Sequence, residues 1–359
     1  MTVKFSNISG EELYSWTGST DQYFSIRRLI LADGPAAGMN LIEVITAGGI
    51  RALINESRAL DIYELHYRGV NLGFQSKNGL AGPVSNWVTP GEFARTWPAG
   101  FLATCGLRNT GPDTEAADGY HPLHGRIGQT AAERVGITVD EDKMQLIITG
   151  YIRESALFGH HLVMERTIAF DLKGAKISYS DKIINHAAEA EPVFLLYHIN
   201  FGFPFLSPAL ECNYPEGDVL PRTDEAAVNL AEHTKIIAPV DGKPEQVFFH
   251  MPVGVDVSVD AALPLDRYPQ AGSASDEAQV KLLNRELGIA AAMSWKWSEL
   301  PVLSQWKSMK AGDYALGIEP GNTLIRGRKT ELELDSVPLV AGHSSITKGF
   351  VLDCETLVE

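Results

Sequence analysis

From residue 40 onward, short apolar runs alternate with polar positions. The clearest lie at residues 41–45, 63–67, 143–148, 162–170 and 176–185. Alternation with period two is the mark of a strand that buries one face. Turn sequences such as Asp140-Glu141-Asp142-Lys143 and Asp171-Leu172-Lys173-Gly174 separate the runs, at roughly the 8–12 residue spacing of sandwiches. No sustained strand–helix alternation is present, which excludes a doubly wound parallel sheet. Two stretches read as helical. Residues 11–31 suggest a short helix or two, capped by Ser19 or Asp21, and residues 272–287 suggest a late helix opened by Ser273, Ser275 or Asp276. The alternating Met293-Ser294-Trp295-Lys296-Trp297 follows. The pattern predicts an all-β protein: one large antiparallel β-sandwich over residues 41–359 with minor helices, and residues 1–40 as an N-terminal appendage packed on it.

Composition narrows the function classes. The 359 residues are 45% hydrophobic and 21% charged, a globular balance able to bury a sizeable core. A formal net charge of −15 argues against binding nucleic acid or docking on anionic membranes. Cys105, Cys212 and Cys354 are few, odd in number and far apart, so no disulfide framework and no CxxC metal site is expected. The first residues lack a basic stretch followed by an apolar one, and no apolar run approaches membrane-spanning length. A cytoplasmic location is the expectation.

Three segments carry candidate chemistry. In His121-Pro122-Leu123-His124-Gly125-Arg126, the glycine permits a tight turn and close approach of a ligand. Arg126, two residues from His124, is placed to bind substrate oxygens or to keep the histidine neutral. His198 and Asn200 share one face of an apolar strand, and two polar groups pointing one way from such a strand usually line a cavity. Glu319 ends the apolar run 314–318, and Pro320, lacking an N–H, ends strand pairing after it. A part-buried carboxylate there has a raised pKa, suited to a general base near neutral pH. The bland alternative is a strand-end glutamate paired to Arg326 or Arg328.

Weaker candidates are Arg58, read with Asp61 as an ion pair, and Asn71 in a turn. Arg153, Gln246, His250 and Lys307 are further groups in reach of a polar ligand, and Trp295, Trp297 and Trp306 are candidate sugar platforms. His160-His161 makes an unpersuasive metal site, since adjacent strand residues point apart. No HExxH, P-loop or Rossmann glycine pattern occurs.

Taken in order, Leu123-His124-Gly125, Tyr197-His198-Ile199-Asn200-Phe201 and Ile318-Glu319-Pro320 resemble the motifs of the galactose mutarotase (aldose 1-epimerase) superfamily. The stretch from Arg58 to Asn322, with Gly100-Phe101-Leu102-Ala103-Thr104-Cys105-Gly106-Leu107 before Leu-His-Gly-Arg, looks like a less characterised branch of it. The resemblance implies a β-supersandwich and an isomerase that interconverts sugar anomers with no cofactor and no metal. It makes Glu319 the base at the anomeric hydroxyl, His198 the acid at the ring oxygen and His124 a hydrogen-bonding group near that oxygen. Arg126, Asn200, Arg58, Asn71, Arg153, Gln246 and Lys307 are then candidate substrate-binding residues.

Arg126 stands where a second glycine is usual, and Tyr197 where an Asn is usual. Arg126 with Arg153 or Lys307 hints at an acidic sugar, because arginine favours bidentate recognition of anions. The expected partner is a monosaccharide or sugar acid, with a homodimer as a conceivable assembly. Competing readings are a sugar-binding protein without turnover, a keto-sugar isomerase and a lyase on a related sandwich. A divalent metal held by His124, His198 and Glu319 would shift the reading toward isomerisation.

Overall fold

The runs at 41–45 and 63–67 fall within the strands Asn40–Ile45 and Asp61–Tyr67 of a five-stranded antiparallel meander. The structure, a computed structural model, describes residues 8–82, 90–255, 269, 271–273 and 275–357. The meander begins before residue 40. Ser25–Ile30 pairs along its whole length with Asn40–Ile45, from Ser25 opposite Ile45 to Ile30 opposite Asn40. Within the stretch expected to be helical, only Gly10–Trp16 forms an α-helix, opened by a reciprocal capping box between Ser9 and Glu12. Ser19 caps a single 3₁₀ turn, Thr20–Gln22.

The late helix is a correction. Glu277–Asn284 is a strand, paired antiparallel with Ile289–Lys296. Ala278, Val280 and Leu282 are buried while Glu277 and Gln279 are exposed. That is a period of two, and sheet pairing overrides the helical propensity of the Glu, Lys, Leu and Arg residues nearby.

Among the described residues, two further large antiparallel sheets complete a β-sandwich. An eight-stranded sheet runs in the order Leu210–Asn213, Glu277–Asn284, Ile289–Lys296, Ser345–Thr356, Lys176–Asn185, His161–Asp171, Gln145–Ser155 and Glu133–Asp140. A six-stranded sheet runs in the order Gly217–Pro221, Gln246–Pro252, Val302–Lys310, Asp313–Gly321, Phe194–Phe201 and Leu102–Leu107. Gln145–Ser155 and His161–Asp171 send Leu146, Ile148, Ile152, Met164, Ile168 and Phe170 into the core from alternate positions.

One charged cluster ties the three sheets together. Arg166, wholly buried on the eight-stranded sheet, bonds Asp181 on the adjacent strand at 2.7 Å and Asp61 of the five-stranded sheet at 2.7 Å. It also donates to Thr104 Oγ1 of the six-stranded sheet at 2.8 Å, and Tyr197 Oη donates to Asp181 at 2.9 Å. Asp61 thus pairs with Arg166, whereas Arg58 donates to the carbonyl of Ala81 and to Gln129. Among the described residues, no helix is long and apolar enough to cross a membrane.

Candidate active site

Successive strand residues point to opposite faces of a sheet. Tyr197 faces the buried charge cluster, so its neighbour His198 faces the other way. The register sets Leu196 against Gly321 and Asn200 against Gly317, which brings His198 opposite Glu319. Their Nε2 and Oε1 atoms lie 3.3 Å apart. On the face of Glu319 the same strand carries Ala315, Gly317 and Gly321, small residues that leave a hollow around the carboxylate.

Gly317 makes room for it directly. A Cβ there would stand 2.3 Å from Glu319 Oε1 and 3.0 Å from the Cβ of Trp306. Gly317→Ala is therefore expected to displace the carboxylate and lower activity by at least about tenfold. Overpacking should also destabilise the fold by about 1–3 kcal/mol. Turnover and thermal unfolding of the variant check both, and undiminished turnover would show that the position of Glu319 does not control the reaction.

His124 is held by backbone. It adopts φ +59° and Gly125 φ +76°, so the chain turns through two left-handed residues, the first of them at a steric cost. Gly125 packs so closely that a Cβ would lie 2.2 Å from the carbonyl of Gly106. Gly111 brackets the histidine: its carbonyl accepts the His124 N–H at 2.9 Å, and its own N–H donates to Nδ1 at 3.3 Å. A neutral imidazole that accepts at Nδ1 carries its proton on Nε2. His124 thus presents a donor to anything bound beside it.

Aromatic rings enclose the histidines. Phe93 and Trp97, four apart at the Glu92–Thr96 helical turn, stack at 5.2 Å. Phe93 meets His124 at 5.5 Å, Trp97 meets His198 at 5.2 Å, and Trp306 meets His198 at 5.6 Å. Trp306 is oriented by a 2.8 Å bond from Nε1 to Glu245. These groups, with Arg222, line a cavity of about 320 Å³ that contains His124, His198 and Glu319. That size suits a small ligand.

Burial controls the protonation of the site. Glu319 is 2% exposed and its Oε1 has no hydrogen-bond partner. Burial pushes its pKa up to about 8, opposed by the nearby Arg222 and assisted by Glu245. Burial likewise pushes His198 down to about 4, against a hydrogen-bonding contribution from Asn200. The Asn200 amide nitrogen donates to the carbonyls of Gly100 and His198, while its oxygen and His198 Nδ1 are buried without a hydrogen-bond partner. Burial, then the charges of His198 and Arg222, take His124 down to about 3. At neutral pH the Glu319–His198 pair therefore holds one proton, and the raised carboxyl and lowered imidazole place it mainly on Glu319.

The remaining sequence-derived candidates do not line this cavity. Arg126 donates to the carbonyl of Tyr120 at 3.3 Å, and Arg153 pairs with Glu133 at 2.8 Å on the surface. Asn71 bonds the carbonyls of Gly73 and Phe203. Gln246 and Lys307 pair across strands on the face opposite Val247 and Trp306, and bond the carbonyls of Glu225 and Glu232. Their odd–even placement beside Trp306 is the signal that assigns them to the far side. His250 bonds Gln305 at 3.0 Å, and Trp295 and Trp297 are core residues. Asn200 is buried behind His198 rather than on the cavity wall. Arg326 pairs with Glu331 and Arg328 with Asp118, so neither takes Glu319.

The groups missed by the sequence reading are Phe93, Trp97, Arg222 and Glu245. Only the i, i+4 spacing of Phe93 and Trp97 was visible beforehand.

Solved structures share this fold. A Klebsiella pneumoniae protein described as a candidate aldose 1-epimerase superposes with a TM-score of 0.83 at 20% identity, over 93% of this chain and 86% of that one. A galactose mutarotase-like protein from Clostridium acetobutylicum gives 0.61 at 17% identity, over 94% of this chain and 100% of its own. The galactose 1-epimerase of Lactobacillus acidophilus gives 0.58 at 8% identity, over 93% and 100%. The architecture is the galactose mutarotase-like β-sandwich. Likeness at such identities speaks for fold and leaves function to the site. No curated protein matches the chain. A family model described as "Domain of unknown function (DUF4432)" matches residues 36–352, and the chain belongs to that family.

Proposed function

We propose that the protein is an aldose 1-epimerase-like isomerase that opens and recloses a sugar ring at the anomeric centre. The observation that carries this reading is the approach of Glu319 and His198 to 3.3 Å inside a cavity where His124 offers a fixed donor. The reactive form is the minor arrangement in which the pair's proton sits on His198, and in it the Glu319 carboxylate removes the proton from the anomeric hydroxyl. The electron pair forms the carbonyl at C1, and the bond from C1 to the ring oxygen breaks. His198 delivers its proton to that oxygen, and the Nε2–H of His124 hydrogen-bonds beside it. Rotation about C1–C2 and the reverse transfers close the other anomer. The pair regains its single proton, so no cofactor is consumed.

The cavity favours a neutral ring. Arg126, Arg153 and Lys307, on which an acidic sugar would rest, bond elsewhere. Arg222 lines the cavity together with both Glu319 and Glu245. Neutral aldoses are expected to exchange faster than the matching uronates.

The test is saturation-transfer NMR between α and β anomers across a sugar panel. Acceleration by the protein supports the isomerase. Binding without acceleration would instead identify a sugar-binding protein. The pH profile adds a second check. Below about 4 both groups are protonated and no base remains, and above about 8 neither carries a proton and no acid remains. The kcat/KM of exchange should therefore be bell-shaped with limbs near those values. A profile flat through pH 9 would remove this pair from the reaction.

A further inference from the structure

Asn109 is fully buried and does not line the cavity. Its amide nitrogen donates to the carbonyl of Pro112 at 3.0 Å and to that of Pro122 at 2.8 Å. Its oxygen accepts the backbone N–H of Arg328 at 2.6 Å. Both amide hydrogens and the oxygen are thus engaged by backbone, in three separate segments.

Two of these segments meet at His124. Asn109 and Pro112 flank Gly111, whose N–H donates to His124 Nδ1 at 3.3 Å and whose carbonyl accepts the His124 N–H at 2.9 Å. Pro122 opens the turn that holds His124, and its carbonyl also accepts the Gly125 N–H at 2.9 Å. The third segment follows the strand of Glu319, Asp313–Gly321. There the Gly327 N–H donates to the carbonyl of Thr110 at 3.0 Å, and the hydroxyls of Thr110 and Thr323 bond at 2.8 Å. One amide therefore fixes Gly111 against His124, and the His124 turn against the chain that leaves Glu319.

The consequence is chemical. The Gly111 N–H can donate only to an unprotonated Nδ1, so its position keeps the His124 proton on Nε2. At 3.3 Å that bond is already long, and a small displacement of Gly111 releases it.

We propose that Asn109 is the positioning residue for His124, and that it selects the tautomer in which His124 donates to the bound ligand. Its effect on turnover rests on the reading of the cavity as a mutarotase site, whereas its effect on the tautomer does not.

Nitrogen-15 NMR of the histidine-labelled protein at neutral pH reads the tautomer, beside anomer-exchange kinetics of the same samples. Wild-type His124 should show a protonated Nε2 and an unprotonated Nδ1. Asn109→Asp keeps the shape and the acceptor for Arg328 but puts an oxygen where both donors stood, and Asn109→Ser can donate to one carbonyl at most. Both should mix the tautomers and lower kcat by about tenfold or more, with a smaller change in KM. Thr323→Val removes a neighbouring bond and none of those made by Asn109, so it should leave tautomer and kcat close to wild type. A wild-type His124 protonated at Nδ1 would overturn the assignment without any variant. So would Asn109 variants that lose turnover with the wild-type tautomer intact, the mark of a merely structural residue, or a Thr323→Val protein whose tautomer shifts as far as theirs. A tautomer that shifts in the Asn109 variants of a protein exchanging no sugar would support the positioning role and sink the isomerase. Exchange at the wild-type rate despite a shifted tautomer would support it too, and would remove His124 from the reaction.

Discussion

Glu319→Gln is expected to slow anomer exchange by about 10²–10⁴-fold, the usual contribution of a general base. The substitution keeps the shape of the side chain and removes only its ability to take a proton. The fold should tolerate it, because Oε1 of Glu319 has no hydrogen-bond partner to lose. It should even gain stability at high pH. The pKa of Glu319 in the fold is raised to about 8 from an ordinary value of 4.5, so the folded protein holds this proton more tightly than the unfolded chain. The associated stability is fully present below the ordinary pKa and is lost as pH rises through about 8. At pH 9 the variant should exceed wild type by about 2–4 kcal/mol, whereas near pH 4 the two should match. Exchange NMR with urea unfolding at the two pH values measures both effects. Exchange at the wild-type rate would show that another group is the base, and equal stability at pH 9 would show that the carboxylate is not desolvated as its burial requires.

Arg166→Met is expected to destabilise the protein by about 3–5 kcal/mol, the range for breaking a buried ion pair by removing one partner. Arg166 and Asp181 are fully buried and Asp61 is nearly so. Removing the guanidinium leaves two carboxylates facing one another without a counter-charge, and it removes the bond to Thr104 that reaches the six-stranded sheet. Neutralising the carboxylates as well, in Arg166→Met with Asp61→Asn and Asp181→Asn, should recover much of the loss, because desolvated unpaired charge is the larger part of the cost. Urea unfolding of both proteins reads the difference. A loss below about 1 kcal/mol in the single variant, typical of an exposed pair, would mean that the cluster does not bear on the joining of the sheets. Tyr197 is part of this cluster and His198 is its neighbour in the strand, so exchange by the single variant should also fall.

The strands were largely legible before the structure, because period-two burial is a local property. The expected runs at 162–170 and 176–185 lie inside His161–Asp171 and Lys176–Asn185, and the run at 143–148 enters its strand, Gln145–Ser155, two residues late. The helix expected at residues 272–287 was not legible. Glu, Lys, Leu and Arg there favour a helix, and only pairing with Ile289–Lys296, a partner on the next strand, makes the strand the better state.

By itself the sequence determined the alternating strands, the turn chemistry at His124-Gly125 and the three groups His124, His198 and Glu319. Each follows from neighbours along the chain: a glycine that permits the turn and apolar strands that carry His198 and Glu319. The expectation that Pro320 ends pairing is corrected, since the strand runs to Gly321 with Pro320 opposite Leu303; a missing N–H costs nothing where it need not donate to the ladder. Only the tertiary structure decided that His198 and Glu319 stand 3.3 Å apart, that Phe93, Trp97, Arg222 and Glu245 close around them, and that Arg126, Arg153, Gln246 and Lys307 turn away. The physical reason is that strand register and loop packing set which polar groups converge, and these depend on partners far apart in the sequence. The pKa values depend on the same partners, because burial by distant segments is what holds a proton on the Glu319–His198 pair.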